Sequence, residues 1–248
     1  MKLNYVLLLA ILFVAIILAS GCTKQEDSSG TTTTPPGSIS PEPPTALPGT
    51  DSDSNDNAAQ QAKVEVIKSH AYVGMAGHLK AFAEIKNTGT VPVKFVEVAF
   101  NYTNAEGNPT SDAKLASVRI LNPGDTAPAS MTLDIGLSPE GVTATIAGFD
   151  LSDPAPYNKI IAVKQELSKP GGYARGSAYA ENTGDIDWEG SFAVTTTYYD
   201  AQGNVVETGT SFFPFGLKKG EKMEFSTTVI DDSPLGISDF KVQIDYKD

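Results

Sequence analysis

An all-β fold built as two tandem antiparallel sandwiches is predicted from three observations. Apolar and polar residues alternate with a period of two, turn residues separate these runs, and a segment of about 90 residues occurs twice. In LKAFAEIKN, Leu79, Ala81, Ala83 and Ile85 alternate with Lys80, Phe82, Glu84 and Lys86. In VEVAFNY, Val96, Val98, Phe100 and Tyr102 face one way, and Glu97, Ala99 and Asn101 the other. Such a period is that of a half-buried antiparallel strand. No stretch carries a helical stripe.

The repeat is visible in three ordered matches. Asn87-Thr88-Gly89 recurs as Asn182-Thr183-Gly184, and Ala105-Glu106-Gly107-Asn108 as Ala201-Gln202-Gly203-Asn204. Leu121-Asn122-Pro123-Gly124-Asp125 falls on Leu217-Lys218-Lys219-Gly220-Glu221. The offset grows from 95 to 96 after the first match, so one copy holds a single extra residue. Gly89 and Gly184 are expected to supply a positive φ, Gly107 and Gly203 to close hairpins, and Asn122-Pro123-Gly124 to form a type II turn. Six or seven strands per copy at roughly 8–12-residue spacing suit an immunoglobulin-like β-sandwich. Each copy carries its own strands and is expected to fold as a unit.

Four regions follow. Residues 1–21 form an apolar leader, with Lys2 ahead of the run YVLLLAILFVAIILA and small residues Ser20 and Gly21 at its end. Residues 22–61 are a Ser/Thr/Pro-rich, acidic tether with too little to bury, expected to be disordered. Residues 62–153 are the first repeat and 154–248 the second, with DLSDPAP at the joint. Within the tether, DSDSND lacks the glycine and glutamate of a calcium loop.

The only cysteine, Cys22, directly follows the leader. The small residues before it resemble a lipobox, whose cysteine takes a lipid and becomes the N-terminus. That resemblance implies a protein anchored to the cell membrane through lipid on Cys22 and facing the extracytoplasmic side. The alternative is an uncleaved membrane helix. The segments after Val96 and Val194 resemble the FxLYD domain, which occurs in tandem in prokaryotic lipoproteins. The first copy reads Phe100-Asn101-Tyr102-Thr103-Asn104 and keeps the Phe; the second reads Thr196-Thr197-Tyr198-Tyr199-Asp200 and keeps Tyr-Asp. The resemblance implies an extracytoplasmic β-sandwich without catalytic residues.

Acids outnumber bases by 30 to 18, a net charge of −12, which disfavours nucleic acid as a partner. No nucleophile elbow, zinc-protease motif or phosphate loop is present. The expected role is non-catalytic: adhesion, or an envelope-structural module with a cell-envelope protein or glycan as partner and no cofactor. A hydrolase using a carboxylate pair leaves no short motif and stays as an alternative. So does a copper-type site: His70, Met75 and His78 offer two imidazoles and a thioether if a turn at Gly74–Gly77 brings them together. The pairs Asp185/Asp187 and Asp231/Asp232 offer weak calcium sites, or solvated loop carboxylates.

A binding surface is expected in the second copy, where Phe212, Phe213 and Phe215 cluster around Pro214 and the single tryptophan, Trp188, stands nearby. The opposite reading puts these rings in the core, Trp188 first among them. Pro214 marks an edge strand or a strand end. Asn101-Tyr102-Thr103 is a glycosylation sequon on the polar phase of its strand; Asn108-Pro109-Thr110 is blocked by proline.

Overall fold

The computed structural model describes residues 61–153 and 159–246. Cys22, the leader, most of the tether and the prolines of the joint lie outside the described residues. The described chain is all-β, and all of it belongs to one compact unit.

The first repeat contains β1 (Val64–Val73), β2 (His78–Asn87), β3 (Val93–Thr103), β4 (Pro109–Leu115), β5 (Ile120–Leu121), β6 (Thr126–Ile135) and β7 (Thr143–Leu151). The second contains β8 (Ile160–Ser168), β9 (Tyr173–Asn182), β10 (Phe192–Tyr199), β11 (Val205–Phe213), β12 (Lys222–Ile230) and β13 (Asp239–Tyr246). In the first, the sheet β1-β2-β6 faces a sheet in which β3 pairs β4, β5 and β7. In the second, β8-β9-β12 faces β11-β10-β13. Every pairing is antiparallel, and strand for strand the order repeats. These are immunoglobulin-like sandwiches, as the strand count implies. Only β5 lacks a named partner in the second repeat; there it shrinks to a single bridge, Trp188 to Leu217.

Each core lies between its own two sheets. Ala81, Ala83 and Ile85 of β2 meet Val93, Val96, Val98 and Phe100 of β3 and Ala127, Ala129 and Met131 of β6. In the second repeat Phe192 and Val194 of β10 meet Ile160, Ala180 and Leu217, with Phe213 and Phe225 packed alongside.

The recurring Asn-Thr-Gly is a structural clamp. Asn87 and Asn182 are both fully buried. The Asn87 amide donates to the carbonyls of Val91 (2.8 Å) and Leu121 (2.9 Å) and accepts from Gly89 N–H (3.0 Å). Asn182 repeats this with Ile186 (2.9 Å), Leu217 (2.9 Å) and Gly184 (2.9 Å). One side chain thus ties the end of its strand to the loop that follows and to the leucine carbonyl about 35 residues on, and its own buried amide is paired. Gly89 and Gly184 do not take the expected positive φ. Gly89 is required for close approach instead, because a Cβ there would collide with the backbone of Gln61 and Lys63. The other turn expectations hold: Gly107, Gly124 and Gly203 have φ of 84°, 88° and 70°.

A strand pattern of period two predicts one buried face. Two strands bury both. In β10, Phe192 through Tyr198 are all buried. In β2, Ala81, Phe82 and Ala83 are consecutive and buried. The cause is the contact between repeats: the second face of β1-β2-β6 packs on the second face of β11-β10-β13. Tyr72 and Phe82 of the first repeat share a cluster with Tyr198, Val206, Ile237 and Phe240 of the second. Around this seam Lys80 pairs with Glu207 (2.8 Å) and Asp232 (3.0 Å). Tyr72 Oη donates to Val206 O (2.8 Å), Tyr199 Oη to Glu84 (3.0 Å), and Thr195 to Ser117 O (3.0 Å). Arg119 reaches Tyr246 O at 2.7 Å.

Candidate functional site

The residues proposed as a binding surface sit at the end of the second sandwich, and the fold divides them. β11 ends at Phe213, and β11 is an edge strand, which satisfies both readings of Pro214. Phe213 points inward: its ring stacks on Phe192 with centroids 4.8 Å apart and meets Phe225 edge-on at 5.7 Å. It is partly buried and packs against the core, unlike its two neighbours in the cluster. One residue away the alternation puts Phe212 outside, 59% exposed, and beyond Pro214 Phe215 is 67% exposed. Trp188 lies between these extremes. It packs against the core beside Tyr246, edge-on at 5.9 Å, and is partly exposed.

Trp188, Phe215, Leu217 and Met223 line a groove of 450 Å³ whose rim carries Asp187, Glu189, Lys218 and Glu221. Two glycines make room for Trp188. A Cβ at Gly190 would strike the Trp188 ring, and a Cβ at Gly216 would strike its carbonyl. The backbone at Trp188 is fixed by its N–H bond to Leu217 O at 2.9 Å. Two rim carboxylates are held by main chain: Lys219 N–H donates to Asp187 at 2.8 Å, and Lys218 N–H to Glu221 at 2.8 Å. A rigid apolar wall with oriented acceptors on its rim is suited to recognition. The sequence placed Trp188 and Phe215 here; Met223 and the two held carboxylates were not legible, because no local pattern joins residues 187, 221 and 223.

The histidine-methionine set is held apart. The turn Gly74–Gly77 forms as expected, closed by Gly77 N–H to Gly74 O at 2.9 Å. His70 then falls opposite Phe82, while His78 begins β2. The register leaves four residues, about 13 Å, between their levels. Met75 is 76% exposed at the turn. His78 Nδ1 lies 3.2 Å from Leu133 O. Burial lowers the His70 pKa, with Lys68 adding to the effect and Asp200 opposing it. Among the described residues no group of three or more His, Cys, Asp or Glu could hold a metal. The acid pairs have other employment: Asp231 accepts from Ile237 N–H at 2.8 Å, and Asp232 pairs with Lys80 and Tyr72. Asn101 is half-buried on the side of β3 opposite Phe100, beside a shallow hollow lined by Tyr102, Pro109 and Ser111.

Several displaced titratable groups belong to the seam and to turns. Burial raises the Tyr72 pKa strongly, and Asp232 and Glu207 add to it. Burial works against the Lys80 ammonium, but hydrogen bonds to Glu207 and Asp232 raise its pKa overall. At Asp200 burial likewise opposes the charge, yet bonds from Asn204 and Gln202 hold the carboxyl below its usual range.

No family model and no curated protein matches this chain. Among solved structures, red sea bream transglutaminase is similar at 11% identity and a TM-score of 0.24. That likeness covers 80% of this chain, which spans about a third (32%) of the transglutaminase.

Proposed function

We propose that this chain is a lipid-anchored, extracytoplasmic binding module without catalytic activity, held through Cys22 and engaging an envelope or surface partner at the Trp188–Phe215 groove. The observation that carries the reading is the groove itself. It exposes Phe215 and part of the only tryptophan, while Phe192, Tyr198 and Phe240 of the same repeat are spent on the core. Exposed aromatic walls are frequent centres of binding energy.

The FxLYD-type reading of the repeats draws support from what its positions do. Phe100 fills the first core. Asp200 accepts from Gln202 N–H (2.8 Å) and Asn204 N–H (2.9 Å), and Asn104 does the same for Glu106 and Asn108. These are turn-building tasks, in keeping with a scaffold. A hydrolase using a carboxylate pair is the second reading, favoured by Asp187, Glu189 and Glu221 on one groove.

Anchoring is tested by Cys22→Ser. An acyl chain contributes ~0.8 kcal/mol per buried methylene. The wild type should partition with membranes at a lipidated mass, and the variant should be released or mislocalised. A wild type retained in membranes at its unprocessed mass would establish the uncleaved-helix alternative.

A further inference from the structure

We infer that the ligand of the groove is a neutral saccharide; the inference rests on the binding reading above and names the ligand class. The groove's lining and its rim acceptors select that class, and charge and volume narrow it. The lining combines Trp188, Phe215, Leu217 and Met223, an aromatic and apolar surface that suits the apolar face of a sugar ring. The rim carboxylates Asp187 and Glu221 each spend one oxygen on a backbone N–H, at 2.8 Å in both cases. The second oxygen of each is then an oriented acceptor for ligand donors, and pyranose hydroxyls are such donors. A proline-rich segment lacks a backbone N–H at each proline and so offers these acceptors fewer donors.

Charge narrows the class further. The rim holds Asp187, Glu189 and Glu221 against Lys218. Lys222 pairs with Glu181 at 3.2 Å, and Lys219 lies 3.9 Å from Asp185, so both have carboxylates nearby outside the groove. An acidic sugar would meet repulsion from three carboxylates, which a neutral one that donates hydroxyls to them does not. The volume of 450 Å³ suits a short oligosaccharide segment rather than a helix or a folded partner.

The chain has one tryptophan, and it lines the groove, so its fluorescence reports occupancy without a label. Full-length protein is titrated with neutral trisaccharides of glucose, mannose and N-acetylglucosamine. Trigalacturonate serves as acidic control and a proline-rich peptide as protein-ligand control. Saturable change with at least one neutral trisaccharide and none with trigalacturonate is expected. Phe215→Ala and Asp187→Asn should each weaken that binding by about tenfold. Response to the peptide or to trigalacturonate alone, or to none of the probes, overturns the inference. The binding reading fails separately: attachment to isolated envelopes that persists unchanged in Phe215→Ala removes the groove as a site, whatever sugars do. Trimming of a bound trisaccharide would move the chain to the hydrolase class.

Discussion

Val93 in the first repeat and Trp188 in the second occupy equivalent places. Each opposes a leucine, Leu121 or Leu217, whose carbonyl is held by the buried asparagine of its repeat. Val93 is fully buried and starts β3, whereas Trp188 makes one isolated bridge and borders a groove. Downstream, Val96 and Phe192 are again equivalent and wholly buried. Between the paired positions stand Lys94 and Phe95 in one repeat and Glu189, Gly190 and Ser191 in the other. That is the single extra residue seen as a change of offset. The first repeat crosses the gap with a bulge in β3, and Phe95 takes a φ of 52°, unusual for a side chain without local hydrogen bonding. The second uses Gly190, on which the indole rests. Duplicated sandwiches therefore share a clamp and diverge beside it, where one inserted residue separates a closed core edge from an open one.

Breaking the core under the groove should have the largest effect. Phe213→Ala removes a ring stacked on Phe192 and should cost ~4 kcal/mol of unfolding free energy, read by denaturant titration. A loss below 1 kcal/mol would return Phe213 to the surface. The clamps come next. Asn87→Ala and Asn182→Ala each delete three hydrogen bonds in a buried site and should cost about 3 kcal/mol apiece. Equal losses would show that the clamp is shared; an effect at only one asparagine would limit it to that repeat.

The seam between the repeats ranks third. Lys80→Met leaves Asp232 and Glu207 facing each other without their cation, an expected loss of about 2 kcal/mol after allowance for partial exposure. The pH dependence has a definite sign. Lys80 and Tyr72 have raised pKa values, so their contribution is complete below about pH 10 and is lost as pH rises through the folded-state values. Asp200 is lowered, so its contribution is present above about pH 4 and is lost as pH falls through its folded value. Between these limits the expected change in melting temperature is that of His70, whose lowered pKa makes its contribution present above about pH 6.5 and lost as pH falls through its folded value. Lys80→Met should reduce the alkaline loss and leave the acid loss intact. The smallest effect on stability belongs to Phe215→Ala, within about 0.5 kcal/mol, because the ring is mostly in solvent.

Much of the architecture was legible in the sequence because it rests on local signals. Alternation located the strands, and Asn122-Pro123-Gly124 and the Gly107 and Gly203 hairpins announced their turns. The seam was not legible. Thr195-Thr196-Thr197 reads as a half-polar strand, and only a second sheet from another repeat explains why Thr195 and Thr197 are as buried as Thr196. The Asn-Thr-Gly repeat was visible, but its function as a buried clamp depends on carbonyls 35 residues away in sequence for Asn182 and 34 for Asn87. At the groove, composition marked the aromatic cluster without separating Phe213 from Phe215. The separation comes from the end of β11 and the turn at Pro214, a matter of one residue of phase.

The most direct measurement compares wild type and Phe215→Ala for attachment to isolated cell envelopes, with melting temperature followed on the same samples. The account predicts attachment weakened by about tenfold at an unchanged melting temperature. Attachment equal to wild type in the folded variant would contradict it.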